Sequence, residues 1–193
     1  MPATSLNRIH VPRALLSDLP VIASLVGLDV AARLLPHAPD FTPVAATALF
    51  AASVLRIRAL SVLVPIVGLV LGDVMLGFYD IRVMAFVYGT LALPACAAWM
   101  SRRLRRPGMI VPILLSSSLT FFFVTNFAVW AFSTMYAPNW TALVECYVAA
   151  LPFLQNMAAG DLFWGLVLFG TYWLVQNMRA AKEAVPHAVA LRA

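Results

Sequence analysis

Charged residues are what this sequence has least of. Thirteen Lys and Arg and eight Asp and Glu make up 11% of its 193 residues, where a soluble domain carries roughly 25%. So few charges cannot solvate the surface of a folded chain this long, which excludes a soluble enzyme. Disorder is excluded by the opposite measure, because 63% of the chain is hydrophobic and a disordered segment has little hydrophobicity to bury. Cysteine is nearly absent. Cys96 and Cys146 stand in different apolar stretches, so there is no disulfide framework and no Cys-x-x-Cys. Also missing are His-Glu-x-x-His, Gly-x-Ser-x-Gly and a phosphate-binding glycine loop. We therefore expect no enzyme, no cofactor and no resident metal. The net charge of +5 belongs to membrane topology and not to nucleic acid, since Lys and Arg gather on the cytoplasmic side of a bilayer.

What is present is apolar sequence in blocks. A membrane-spanning helix takes about 20 apolar residues. Six runs qualify or come near: residues 20–35, 44–55, 59–79, 83–100, 109–132 and 161–175. The expected fold is all-α, a polytopic membrane protein of six transmembrane helices with both termini cytoplasmic. Its parts are a cytoplasmic N-terminal segment, residues 1–19, a membrane domain, residues 20–178, and a cytoplasmic tail, residues 179–193. Pro20 suits the first turn of the first helix. Pro36, Pro39 and Pro43 forbid helix across residues 36–43 and make a stiff corner. The second run is short. A short extra helix over residues 143–153, interfacial or re-entrant, is expected before the sixth span. Residues 1–20 are polar, with Arg8 and Arg13, and lack a small-residue cleavage site, so no removable signal peptide is expected. With the N-terminus inside and strict alternation, eleven basic residues fall inside and only Arg33 and Arg82 outside, the asymmetry that the positive-inside rule requires. Tyr136, Trp140 and Tyr147, in the long outer segment, fit an interfacial aromatic belt.

Polar side chains in hydrocarbon are costly, and each needs a partner or a task. Asp29 and Arg33 lie four residues apart on one helix face and are expected to pair within that helix, with a ligand or coupling site as the other reading. Asp73 has no basic residue within a turn, so it either lines a ligand cavity or pairs with a distant arginine, Arg33 or Arg82. Gly68 and Gly72, in the same span, form a close-packing pair. His37 and Asp40 occupy the corner, which reads either as a solvated loop or as a stiff loop that positions binding residues. Asn126 and Trp130 are one turn apart in the fifth span. Together they suit hydrogen bonding and stacking of a ring-bearing ligand, with interhelical hydrogen bonding as the other reading of Asn126. Gln155, Asn156 and Asp161 make a polar patch in which Asp161 is expected to cap the sixth helix. Thr47 with Ala51 and Ala48 with Ala52 form two small-residue pairs in the second span, a face for close approach within the fold or by a partner protein.

Four stretches carry a resemblance: residues 33–46 (RLLPHAPDFTPVAA), 72–78 (GDVMLGF), 123–130 (FVTNFAVW), and 146–153 with 160–163 (CYVAALPF, GDLF). They resemble an uncharacterised family of small bacterial inner-membrane proteins, with which no activity comes. More distantly, six short spans with cytoplasmic termini resemble the substrate-binding components of energy-coupling-factor vitamin transporters, above all the cobalamin-binding members. Those have a Pro-containing corner after the first span and an Asp in the third, matched here by residues 37–43 and Asp73. Their cobalt-ligating cysteine has no counterpart in Tyr79-Asp80-Ile81-Arg82-Val83, so thiolate ligation does not carry over. The resemblance implies capture of a vitamin-like solute in an outward-facing cavity, in the bacterial inner membrane. The expected solute contacts are His37, Asp73, Asn126, Trp130 and Asn156. Thr47, Ala48, Ala51 and Ala52 are expected to dock energising transporter subunits. The alternatives are a non-catalytic structural or scaffolding membrane protein, and a small intramembrane enzyme acting through Asp73 or His37.

Overall fold

The computed structural model describes residues 13–190. The expectations for the rest of the two termini, including Arg8, Arg192 and the missing cleavage site, lie outside the described residues. Within them all regular structure is helical: α1 (Arg13–Leu34), α2 (Val44–Val54), α3 (Leu63–Leu76), α4 (Ile81–Met100), α5 (Ile110–Phe132) and α6 (Trp140–Ala190). Short 3-10 turns, Arg58–Val62, Arg102–Arg105 and Pro107–Met109, lead into or out of α3, α4 and α5. Five helical stretches are long and apolar enough to cross a membrane. The exception is α2. Its 11 residues reach about 16 Å at 1.5 Å per residue, against about 30 Å of hydrocarbon.

The chain reverses at every connection. Asp18, near the start of α1, accepts the backbone N–H groups of Arg56 and Ile57, just past the end of α2, at 3.1 and 2.8 Å. That carboxylate ties the start of α1 to the backbone just ahead of the Arg58–Val62 turn. Arg82, at the start of α4, donates to the Phe132 carbonyl at the end of α5 at 3.0 Å. Tyr147 of α6 donates to the Phe123 carbonyl of α5 at 2.7 Å. One end of the bundle therefore carries Arg33, the proline corner and Arg82, and is called here the corner end. The other carries Arg56, Arg58 and the Arg102–Arg106 turn, and is called the arginine end.

α2 runs through the middle. Val44, Ala45, Ala46, Thr47, Ala48, Leu49, Ala51 and Ala52 are all buried, the pattern of a helix apolar on every side. Its alanines let α1, α4 and α6 come close, as small residues do in membrane bundles. This corrects one expectation. Thr47, Ala48, Ala51 and Ala52 are 0% exposed, so their small-residue face packs within the fold and offers nothing to a partner.

Two boundaries also differ from expectation. α1 begins at Arg13, with Pro20 inside it. The proline removes one backbone donor, and the carbonyl it frees is that of Leu16, which is exposed near the helix end. The separate short helix over residues 143–153 is absent, because it is the first part of the single 51-residue α6. Gln155, Asn156, Met157, Ala158 and Ala159 join the two apolar runs with residues that tolerate or favour helix. Asp161 consequently lies mid-helix and caps nothing. Gly160 packs against the corner, where an added Cβ would lie 3.0 Å from the Phe41 Cα, so α6 is held close beside residues 36–43.

Candidate functional site

The site begins where α1 and α3 touch. Asp29 and Arg33, one turn apart on α1, lie over Gly68 and Gly72, one turn apart on α3. A Cβ at Gly68 would meet the Asp29 Cβ at 2.8 Å, and a Cβ at Gly72 would meet the Arg33 Nε at 2.5 Å. The glycine pair is therefore a groove for two charged side chains as well as a packing contact. Through that groove Arg33 reaches Asp73 and forms an ion pair with it. The Tyr88 hydroxyl donates to the second Asp73 oxygen at 2.5 Å. Asp73 is buried, and two donors meet its two oxygens, the usual condition for keeping a carboxylate inside a membrane. The Arg33 Nε is buried and has no hydrogen-bond partner.

The expected Asp29–Arg33 pair is thus replaced. Arg33 takes Asp73, as the distant-arginine reading of Asp73 anticipates. Asp29 takes Thr47 of α2, whose Oγ1 lies 2.9 and 3.0 Å from its two oxygens. Asp161 repeats the arrangement on the other side of the bundle, with Ser118 of α5 donating to it at 2.6 Å. Each hydroxyl has one hydrogen and two acceptors within reach, because Thr47 also lies 2.9 Å from the Val44 carbonyl and Ser118 lies 3.1 Å from the Leu114 carbonyl.

Above the first turn of α2, at the corner end, is a cavity of about 220 Å³. Arg33, Asp40, Thr42 and Tyr79 give it polar walls, while Val44, Leu91, Phe121 and Met157 give it an apolar floor. Each of these helices but α3 contributes, and the α3–α4 turn brings Tyr79. Asp40 owes its place to the backbone: its φ of 62° is a left-handed conformation that aspartate tolerates better than most residues. Burial pushes its carboxyl above the usual range, with His37 and Arg33 opposing. Burial and then Asp73 push the Tyr79 phenol up to about 12, with Arg33 opposing. At the rim, Asp80 caps α4 by accepting the Arg82 backbone N–H at 2.8 Å. The Arg82 side chain holds its carboxyl down at about 2.

The five expected solute contacts are scattered. Asp73 lies under the site, bound to Arg33. Asn126 borders a small side pocket that shares Asp40, Phe121 and Met157 with the cavity. Its amide donates to the Phe122 carbonyl of its own helix at 2.8 Å and not to another helix. Trp130 spends its N–H on the Ala137 carbonyl at 3.1 Å, fastening the α5–α6 turn. His37 is exposed and Asn156 half-buried, and neither lines the cavity. Arg33, Tyr79 and Tyr88 were missed as site residues. The available signal was a phenol at the end of the apolar run that holds Asp73, Tyr79, and another within the next run, Tyr88, one helix hairpin away. Chemically, a guanidinium, a carboxyl, a phenol and the Thr42 hydroxyl suit recognition of a small polar solute with both hydrogen-bond donors and acceptors.

No curated protein and no solved structure matches this chain, so the likeness to vitamin-transporter components finds no support there. One family does match, across residues 14–184. The chain belongs to that family, a family of unknown function designated DUF6580.

Proposed function

We propose that this protein captures a small polar solute at the corner end of the bundle, as the substrate-binding component of an uptake system. The observation that carries this reading is the cavity of about 220 Å³ with Arg33, Asp40, Thr42 and Tyr79 on its walls. Drug-sized ligands occupy pockets of about 300 Å³ and more. The solute is accordingly smaller than that, and a corrinoid does not fit. The arginine asymmetry supports a corner end that faces outward and termini in the cytoplasm, and in this reading α2 is a short sixth crossing of a bacterial inner membrane. Energising subunits would dock on an exposed face, since the small residues of α2 are enclosed.

The test is mass spectrometry of small molecules that co-purify with the detergent-solubilised protein. Leu91→Trp, which fills the cavity and leaves its charges, and Asp40→Ala, which removes a polar wall, are purified beside the parent. A compound enriched on the parent and lost from both variants supports capture and names the solute. No enriched compound, with no change in thermal stability across a panel of small polar metabolites, moves the assignment to a non-catalytic structural role.

A further inference from the structure

We infer that the arginine end of the bundle holds an anionic phospholipid, its phosphate against Arg105 and an acyl chain along α6. A groove of about 440 Å³ lies there between the end of α2, the Arg102–Arg105 turn and α6. Ser53 and Val54 form its back, Arg105 its polar edge, and Phe169, Tyr172 and Trp173 its apolar wall. Tyr172 and Trp173 are exposed, the placement expected of aromatic residues at a membrane interface. The groove is therefore amphipathic in the order a lipid presents, a charged head followed by a chain.

The charge has no answer within the described residues. Among residues 13–182, whose side chains are described, the only two ion pairs are Arg33–Asp73 and Arg82–Asp80, both at the corner end. Arg105 donates to the Ala98 carbonyl at 3.1 Å, capping the end of α4, and its remaining donors are free for an anion. The Arg58 Nε is buried with no hydrogen-bond partner. Arg58 and Arg102 are near enough to repel Arg105 and, after burial, to lower its pKa. Arginines crowded without a carboxylate bind an external anion, and basic pockets between membrane helices are where lipid phosphates bind. A free phosphate would satisfy the charge alone, whereas a phospholipid also fills the apolar wall.

The experiment uses the full chain in detergent, read by native mass spectrometry and thermal unfolding. The probes are dioleoyl phosphatidylglycerol, dioleoyl phosphatidylcholine and inorganic phosphate, each added separately. The expected result is retention and a raised Tm with phosphatidylglycerol only. Arg105→Gln should weaken that retention about fivefold, which is ~1 kcal/mol. Ser53→Phe fills the groove with every arginine intact and should also abolish retention, which covers the case in which Arg105→Gln fails to fold. Arg103→Gln, exposed in the same turn and outside the groove, should retain the lipid as the parent does. Equal retention of the two lipids overturns the proposal. So does equal stabilisation by inorganic phosphate alone, or a loss in Arg103→Gln as large as in Arg105→Gln.

Discussion

At the corner end, Arg33 and Arg82 each meet a carboxylate of this same chain. At the arginine end, Arg58, Arg102 and Arg105 meet none among the side chains of residues 13–182, and Arg58 and Arg102 repel Arg105. The corner end has balanced its charges internally and can enclose a cavity among them. The arginine end leaves its charges to the surroundings, to headgroups and counterions. Burial within the bundle explains the contrast. Arg33 lies beside buried Asp73 with its side chain 19% exposed, where an unpaired charge is costly, while most of the Arg102–Arg106 turn is open.

That contrast can be broken at the corner end first. Asp73→Ala leaves Arg33 without a counterion in a buried place, and should cost about 3–5 kcal/mol, seen as a large fall in unfolding temperature in detergent. If the loss comes from the stranded charge, the double variant Arg33→Leu, Asp73→Leu recovers most of it. Gly72→Ala is next. Its Cβ has no room beside the Arg33 stem, so it should cost about 1–3 kcal/mol, and Gly77→Ala is no control because Gly77 needs its positive φ. Gly89→Ala, where nothing crowds the new Cβ, serves instead.

Smaller effects separate the paired acid from the two served by hydroxyls. Asp29→Asn and Asp161→Asn should each cost under about 1 kcal/mol, because an amide offers Thr47 or Ser118 both a hydrogen and an oxygen. Asn at position 73 cannot balance Arg33, so Asp73→Asn should be clearly worse in the same unfolding assay. The smallest effect is that of pH on Asp40. Its carboxyl binds a proton more tightly in the folded protein than its ordinary value of 3.8 allows. Stability therefore falls as pH rises from 3.8 through the raised value and levels off above it. Asp40→Asn keeps the left-handed turn and should remove that slope from a plot of Tm against pH.

Much of the fold was legible because its boundaries are chemical. α4 stops before an arginine turn, visible as a break in hydrophobicity, whereas α3 stops at Gly77, short of the expected residue 79, because the apolar Phe78 and Tyr79 hide the break. α6 was not legible as one helix, because Gln155 to Asp161 reads as a polar interruption along the chain. In space Asp161 is one face of a helix, turned to Ser118 across α5. The site was half legible. Spacing of four correctly put Asp29 and Arg33 on one face. It could not show that a glycine at position 72 lets the longer side chain pass to α3, or that Thr47 stands opposite the shorter one. Asp40 was visible as an acid among prolines, but only its backbone conformation puts it on the cavity wall.

The shortness of α2 has an electrical consequence. A helix of about 16 Å set where a bilayer offers about 30 Å of insulation is a thin place in the dielectric. If water fills the cavity above it, the transmembrane voltage drops chiefly across α2, where the field is about doubled. A charge crossing the whole drop exchanges ~2.3 kcal/mol per 100 mV. Under the proposed function, a charged solute resting on the first turn of α2 would have crossed almost none of it, and its capture would be nearly indifferent to voltage. Any movement that carried it past α2 would bear nearly all.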